Sequence, residues 1–140
     1  LYNLVSKDLP WPLGVFKNNR SFLSVENLCF VIKELINRED IPSGVYNVSD
    51  SQSISTNELI HLISNSLGNT PKVWNIPSNF IAVIAKIGDF LHLPFNTDNL
   101  NKLTSSYLVS NQKIVEAIGK PLPIRAKDGL IKTFKSFKNT

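Results

Sequence analysis

Apolar residues recur along much of the chain at spacings of three and four positions, the period of a helix with one buried face. This pattern predicts the tail of a helix over residues 1–7, and further helices over about 26–37, 56–67, 78–91, 98–103, 111–118 and from about 126 onward. The stretch 78–91 is apolar around much of its circumference. We therefore expect that helix to be buried on more than one side.

Short runs of β-branched and aromatic residues predict strands at 21–25, 45–48, 72–76 and 107–109. Two prolines in 9–14 exclude a helix there and favour an extended segment. Strands and helices do not alternate as a strict βαβ repeat. The fold class that follows is mixed α+β, rich in helices and with only a few short strands.

One helix start is marked with particular clarity. Ser55 and Glu58 have the spacing of a capping box, in which the serine hydroxyl accepts from the backbone N–H three residues on. Gly68 suits the left-handed conformation that ends a helix. The sequence therefore predicts both ends of this helix.

Composition places the chain among globular domains. It has 140 residues, of which 42% are hydrophobic and 19% charged, and we expect one domain over 1–140. No apolar run is long enough to cross a membrane.

The one cysteine, Cys29, lies in an apolar stretch and is expected to be a buried, inert thiol. A cytoplasmic setting agrees with this cysteine usage. The chain holds no methionine and starts at Leu1, so we expect a piece of a longer protein.

The net charge of +4 raises the question of an anionic partner. Most basic residues are scattered, and the densest group lies near the end of the chain, at Lys127, Lys132, Lys135 and Lys138. We interpret that group as the solvated face of a terminal helix and expect no binding of nucleic acid. His61 and His92 have no thiol or carboxylate at ligand spacing, so we expect no metal site.

Five stretches resemble, in one order and spacing, the extended short-chain dehydrogenases/reductases. Residues 10–14 and 20–28 are similar to a P-L-P-x-G segment followed by R-x-F-x-x-V-x-D-L, and 44–50 to the last sheet strand of that family. Residues 55–60 resemble an S-x-x-E-L helix start, and 102–114 an R-L-T-x-S-x-x-V-D-x-x-K-I segment. The resemblance covers essentially the whole chain. It points to the C-terminal, substrate-binding part of NAD-dependent nucleotide-sugar epimerases and dehydratases, similar to 4-epimerases of UDP-galactose and UDP-N-acetylglucosamine.

The resemblance implies a set of binding residues. Arg20 would contact the diphosphate of a UDP-sugar, Lys102 would be a second diphosphate contact, and Trp11, Pro12 and Leu13 would pack on uracil and bond it through the backbone. Lys102 stands where the family commonly has arginine, so a bidentate contact with phosphate is replaced by the point charge of an ammonium group. Asn27 and Ser110 stand where the family usually has aspartate.

Family motifs for catalysis are absent from this sequence. It has no glycine-rich dinucleotide motif, and none of Tyr2, Tyr46 and Tyr107 is followed by lysine four residues on. We expect no catalytic residue here, NAD in the parent protein but not on this chain, and an N-terminal Rossmann domain as the missing partner. The alternatives are the same half of a dehydratase or 4-keto reductase, and a non-catalytic interaction module. Apolar surface left by the missing domain would favour homo-oligomers.

Overall fold

The computed structural model describes residues 1–93 and 95–138, with the side chain of Lys138 outside the described part. Within that part the chain forms helices and two very short strands. In chain order these are α1 (Tyr2–Ser6), β1 (Asn19–Arg20), α2 (Val25–Asn37), β2 (Ile54–Ser55), α3 (Thr56–Leu67), α4 (Ser78–Phe90), α5 (Thr97–Thr104), α6 (Gln112–Ile118) and α7 (Ala126–Lys138). Every predicted helix is confirmed to within about two residues at its start.

The chain divides into two compact units. Unit 1 comprises Leu1–Asn19 and Ser55–Ser106, and unit 2 comprises Arg20–Ile54 and Tyr107–Thr140. The chain passes from one unit to the other within β1 and within β2, which together form a two-stranded sheet.

Unit 1 is built from α1, α3, α4 and α5, with α1 packed on α3 and α4 packed on α5. Its core consists of buried apolar side chains from these helices and from the extended segment before β1: Val5, Trp11, Leu13, Leu59, Ile60, Ile63, Ile81, Ala85 and Leu100. The capping box is confirmed at its serine, because the Ser55 hydroxyl accepts from the backbone N–H of Glu58 at 3.1 Å. Gly68 ends α3 with a φ of 79°, as predicted.

The core cluster of unit 2 joins Val31 of α2 to Ile114 and Ile118 of α6, and α7 lies beside the start of α2, where Gly129 faces the side chain of Ser24. Partly buried side chains, among them Tyr46 and Val48, surround this cluster. Gly119 has a φ of 68° and ends α6 in the left-handed conformation. Ser110 does not occupy the cap itself; Asn111 does, and the Ser110 hydroxyl accepts from the backbone N–H of Gln112 at 3.3 Å.

The strand predictions are mostly wrong. Residues 21–25 and 45–48 form no ladder in the described chain, and 72–76 and 107–109 contribute only isolated bridges. A strand needs a neighbour that supplies backbone partners, whereas β propensity measures only how a side chain fits a half-buried surface. Residues 45–48 show the alternation of a half-buried strand although no ladder forms: Tyr46 and Val48 face the core, while Val45 and Asn47 are exposed.

Two expectations about burial are also wrong. Only Ile81, Ala85 and Gly88 of α4 are buried, so this helix buries one side and exposes its other apolar residues. Cys29 is exposed, because α2 turns Asn27 and Val31 inward with Phe30 partly buried beside them, and leaves its other apolar residues at the surface. Within the described residues, no helix combines the length and apolar character that a membrane crossing requires.

Candidate functional site

The extended segment before β1 is fixed to unit 1 by its backbone. The N–H of Trp11 donates to the carbonyl of Lys72 at 2.8 Å, and the carbonyl of Trp11 accepts from Trp74 at 2.8 Å. The N–H of Gly14 donates to the carbonyl of Trp74 at 3.0 Å. A Cβ on Gly14 would lie 2.5 Å from the side chain of Val73, so only glycine permits this close approach.

Trp11, Pro12 and Leu13 have different environments although they are neighbours. Trp11 is 5% exposed, and its buried Nε1 has no hydrogen-bond partner among the residues that the structure describes. Since its backbone groups are also bonded within unit 1, Trp11 serves the core. Pro12 and Leu13 are the two members of the predicted uracil segment that line a cavity.

That cavity has a volume of about 250 Å³ and apolar walls. Four further described side chains line it: Ile76, Ile81, Ile84 and Phe95. The resemblance did not indicate these four. The apolar period of α4 marked Ile81 and Ile84 as important for packing, but nothing in the local sequence connects Phe95 with Leu13.

The junction between α4 and α5 holds Phe95 in place. Gly88 of α4 meets the backbone carbonyl of Phe95 so closely that a Cβ would lie 1.8 Å from the carbonyl oxygen. Asp89 accepts from the hydroxyl and from the backbone N–H of Thr97, the latter at 2.9 Å. These hydrogen bonds, the hydroxyl first, hold the pKa of Asp89 below its ordinary value.

Arg20 lies in unit 2 and is half-buried. Its guanidinium carbon lies 5.3 Å from the centre of the Tyr107 ring, within the range of a cation–π contact. The backbones of the two residues form a parallel bridge, and the N–H of Ser21 donates to the carbonyl of Tyr107 at 2.9 Å. The sequence named Arg20 but gave no sign of Tyr107 as its neighbour, since the two are far apart along the chain.

Lys102, the second predicted phosphate contact, lies on α5 in unit 1. Its ammonium group is 2.6 Å from the carboxylate of Asp98, one helical turn earlier, and the lysine side chain is 64% exposed. An exposed pair of this kind contributes little free energy and exchanges readily. Lys102 can therefore reach an anion only in competition with Asp98.

Unit 2 also contains a buried polar network around Asn27. The amide nitrogen of Asn27 donates to Asp50 at 2.6 Å and to the carbonyl of Ile124 at 2.8 Å, and its amide oxygen accepts from the Ile124 N–H at 3.0 Å. Ser24 donates to the Asp50 carboxylate through its N–H at 3.1 Å and through its hydroxyl at 3.2 Å. Asn27 is thus a structural residue that joins α2 to the segments that precede β2 and α7.

Among the described residues, no three histidine, cysteine, aspartate or glutamate side chains come together as a metal-binding group. His61 is exposed on α3.

No protein-family model matches the chain. The chain is 28% identical over 138 residues to the UDP-glucose 4-epimerase of Vibrio cholerae, a match that spans 98% of this chain and 40% of that protein. It thus spans about two fifths of the length of this curated relative.

This chain also matches only a part, somewhat over a third, of the length of each of the similar solved structures. The fold is similar to the Bordetella bronchiseptica enzyme WbmG in complex with NAD, with a TM-score of 0.61 and 16% identity over 97% of this chain and 36% of that one. WbmG in complex with NAD and UDP gives a TM-score of 0.58, with 16% identity over 97% of this chain and 35% of that one.

UDP-glucuronic acid 4-epimerase from Bacillus cereus, in complex with NAD, gives a TM-score of 0.57, with 13% identity over 98% of this chain and 38% of that one. At these identities the structural match establishes the fold, and the curated relative adds similarity of sequence. Together they confirm the predicted resemblance to nucleotide-sugar epimerases and the helix-rich fold class: the chain is similar to about two fifths of the length of the Vibrio cholerae and Bacillus cereus 4-epimerases.

Proposed function

We propose that residues 1–140 form the substrate-binding domain of an NAD-dependent UDP-sugar 4-epimerase and bind a UDP-hexose or UDP-N-acetylhexosamine. The observation that carries the proposal is the apolar cavity at Pro12 and Leu13, since it lies on the segment that resembles the uracil-binding segment of that family. The curated relative acts on UDP-glucose, and one structural neighbour was solved with UDP.

The size and walls of the cavity suit a flat base. A volume of about 250 Å³ lies below the range of about 300–1,000 Å³ typical of sites that enclose drug-sized ligands. It therefore fits one ring of a nucleotide and leaves the sugar and phosphates outside. Burial of a planar ring against Pro12, Leu13 and Phe95 supplies affinity mainly through apolar contact.

The diphosphate contact is assigned to Arg20. Its guanidinium presents paired N–H donors in a planar geometry that matches phosphate oxygens. Lys102 is proposed as a weaker contact, since its point charge is already paired with Asp98. The base and phosphate contacts lie on different units and are therefore tested separately.

Catalysis is assigned to another part of the parent protein. We propose that an N-terminal Rossmann domain carries NAD and the Tyr-x-x-x-Lys pair, and that the 140-residue chain is inactive without it. The exposed apolar residues of α2 and α4 support this, because surfaces of that kind mark interaction sites. Residues 45–48 alternate between core and surface and pair with no strand in the described part of the chain, which agrees with a strand that pairs with another part of the parent protein.

An NMR titration of the isotope-labelled chain with UDP-N-acetylglucosamine tests the binding proposal, with NAD as the control ligand. The expected result is shift changes at Leu13, Phe95 and Arg20 with the UDP-sugar and none with NAD. Arg20→Gln should remove the response to the phosphates, and Leu13→Ala the response to the base. Lys33→Gln, which removes an exposed charge on α2, is the matched control. A dispersed spectrum that does not change with the UDP-sugar would contradict the proposal.

A further inference from the structure

Tyr107 is placed against Arg20 by backbone and ring together. The two residues form a parallel bridge, the N–H of Ser21 donates to the Tyr107 carbonyl at 2.9 Å, and the guanidinium lies 5.3 Å from the ring centre. All three residues belong to unit 2. The position of the ring relative to Arg20 is therefore fixed by the main chain and does not depend on the side chains alone.

The ring also remains accessible, because 54% of Tyr107 is exposed. An exposed aromatic ring contributes little to a core. A cation–π contact acts on the charge of the guanidinium and does not itself consume an N–H donor. An arginine side chain also has many rotamers, and a side chain that is ordered before a ligand arrives loses less entropy on binding.

We propose that Tyr107 is a positioning residue that orders the guanidinium of Arg20 for an anionic ligand of the nucleoside diphosphate class. The inference rests on the proposed function, in which Arg20 binds the diphosphate. Tyr107 acts through Arg20 and not on the base. Its removal weakens binding of a ligand with phosphates and leaves binding of the corresponding nucleoside unchanged.

A second cation–π pair in unit 2 shows the contrast. The ammonium group of Lys113 lies 4.8 Å from the ring centre of Tyr46, but it also donates to the carbonyl of Val45 at 2.9 Å. Tyr46 packs on the core cluster of unit 2. That pair holds residues 45–48 against α6 and is a structural contact, so Lys113→Gln is the matched control for loss of a ring-bound cation.

The first measurement needs no ligand. The Nε atom of Arg20 is buried, so its Hε proton is expected to exchange slowly and to give an NMR signal shifted by the ring current of Tyr107. Tyr107→Leu should move that signal toward the position typical of an arginine away from any ring, while Tyr107→Phe should leave it in place. A signal that does not move in Tyr107→Leu overturns the inference, whatever the ligand does.

The second measurement is calorimetric titration of the 140-residue chain with UDP and with uridine. Tyr107→Leu should weaken UDP binding about two- to fivefold, the change that corresponds to a contact of about 0.5–1 kcal/mol. Tyr107→Phe should restore UDP affinity, and uridine affinity should be equal in all variants. Lys113→Gln should bind UDP like the original chain.

The outcomes separate the two proposals. If Arg20→Gln leaves UDP affinity unchanged, the assignment of Arg20 to the diphosphate fails. If Arg20→Gln weakens UDP binding but Tyr107→Leu does not, only the positioning role fails. Equal losses for UDP and uridine in Tyr107→Leu would show a direct contact with the base or ribose and would also overturn the positioning role.

Discussion

Asn27→Asp tests the buried polar network of unit 2 with a change of a single group. Asn27 is fully buried and donates to the carboxylate of Asp50 and to the carbonyl of Ile124. The substitution replaces the donating nitrogen by an oxygen that faces two acceptors. The volume of the side chain is almost unchanged, so the effect on stability is electrostatic and not one of packing.

The expected loss in the free energy of unfolding is about 2–4 kcal/mol near pH 7. Two carboxylates at the 2.6 Å contact that the amide now makes with Asp50 cannot both be charged, so the introduced carboxyl takes up a proton in the folded state. Taking up that proton at pH 7 from an unfolded pKa of about 3.9 costs about 1.36 kcal/mol per pH unit, or about 4 kcal/mol. This cost is the ceiling of the part of the loss that depends on pH, because repulsion beyond it is avoided by protonation; the hydrogen bond lost to Ile124 adds about 1 kcal/mol at any pH.

The loss depends on pH with a definite sign. The pKa of the introduced carboxyl is raised in the folded state, so the folded chain binds more protons than the unfolded chain. The penalty is therefore absent below the unfolded pKa, grows as pH rises toward the folded pKa and is constant above it. At about pH 4 a loss of about 1 kcal/mol remains, because the protonated carboxyl can donate to Asp50 but not also to Ile124.

Urea unfolding followed by far-ultraviolet circular dichroism at about pH 4 and pH 7.5 measures this difference. Asn47→Asp is the control, since Asn47 is an exposed asparagine of the same unit and its replacement should change stability little at either pH. Equal losses for Asn27→Asp at the two pH values, or a loss below about 1 kcal/mol at the higher one, would refute the reasoning.

Three further predictions concern unit 1. Asp89→Asn should lower the free energy of unfolding at neutral pH, because it removes the carboxylate that accepts from Thr97. The pKa of Asp89 is lowered in the fold, so the difference in stability from the original chain should disappear as the pH falls through that pKa. Gly88→Ala should cost about 3 kcal/mol or more by urea unfolding, since the added Cβ meets the Phe95 carbonyl. Ile87→Glu should reduce self-association, seen as a lower mean mass by light scattering, because it charges the exposed apolar side of α4.

Each of these predictions has a control on the same helix. Lys86→Ala alters an exposed position of α4 and should leave the unfolding curves unchanged. A loss of stability in Asp89→Asn that does not shrink as the pH falls below the ordinary aspartate pKa of about 3.9 would show that the carboxylate charge is not the cause. Unchanged stability in Gly88→Ala would mean that the α4–α5 junction can shift. If the original chain is already monomeric, the predicted effect of Ile87→Glu on self-association is contradicted.

Local patterns in the sequence predicted the helices, which make up most of the secondary structure. The helices followed from apolar period, and Ser55 and Gly68 marked the ends of α3, because these signals act within a few residues. Residues 45–48 show the limit. Their alternation is real, but a strand exists only where a second backbone lies beside it, and one sequence segment does not contain that information.

Burial and the candidate site were less predictable for the same reason. Cys29 lies in an apolar run, yet the run holds more apolar residues than unit 2 buries, so the thiol is at the surface. Trp11 and Leu13 were grouped by resemblance, and both are buried in the core of unit 1, but of the two only Leu13 is among the described residues that line the cavity. Phe95 lines the cavity of unit 1, and Tyr107 lies against Arg20 in unit 2; each contact joins distant parts of the chain and is not recorded in any local spacing.

The burial of Trp11 gives the chain a built-in optical reporter. The sequence has two tryptophans, Trp11 and Trp74, and both belong to unit 1; the first is 5% exposed and the second 57%. Intrinsic tryptophan fluorescence therefore follows unit 1 alone, while circular dichroism follows the helices of both units. In one denaturation experiment, superimposed curves would indicate units that unfold together, and separated curves would give each unit its own midpoint.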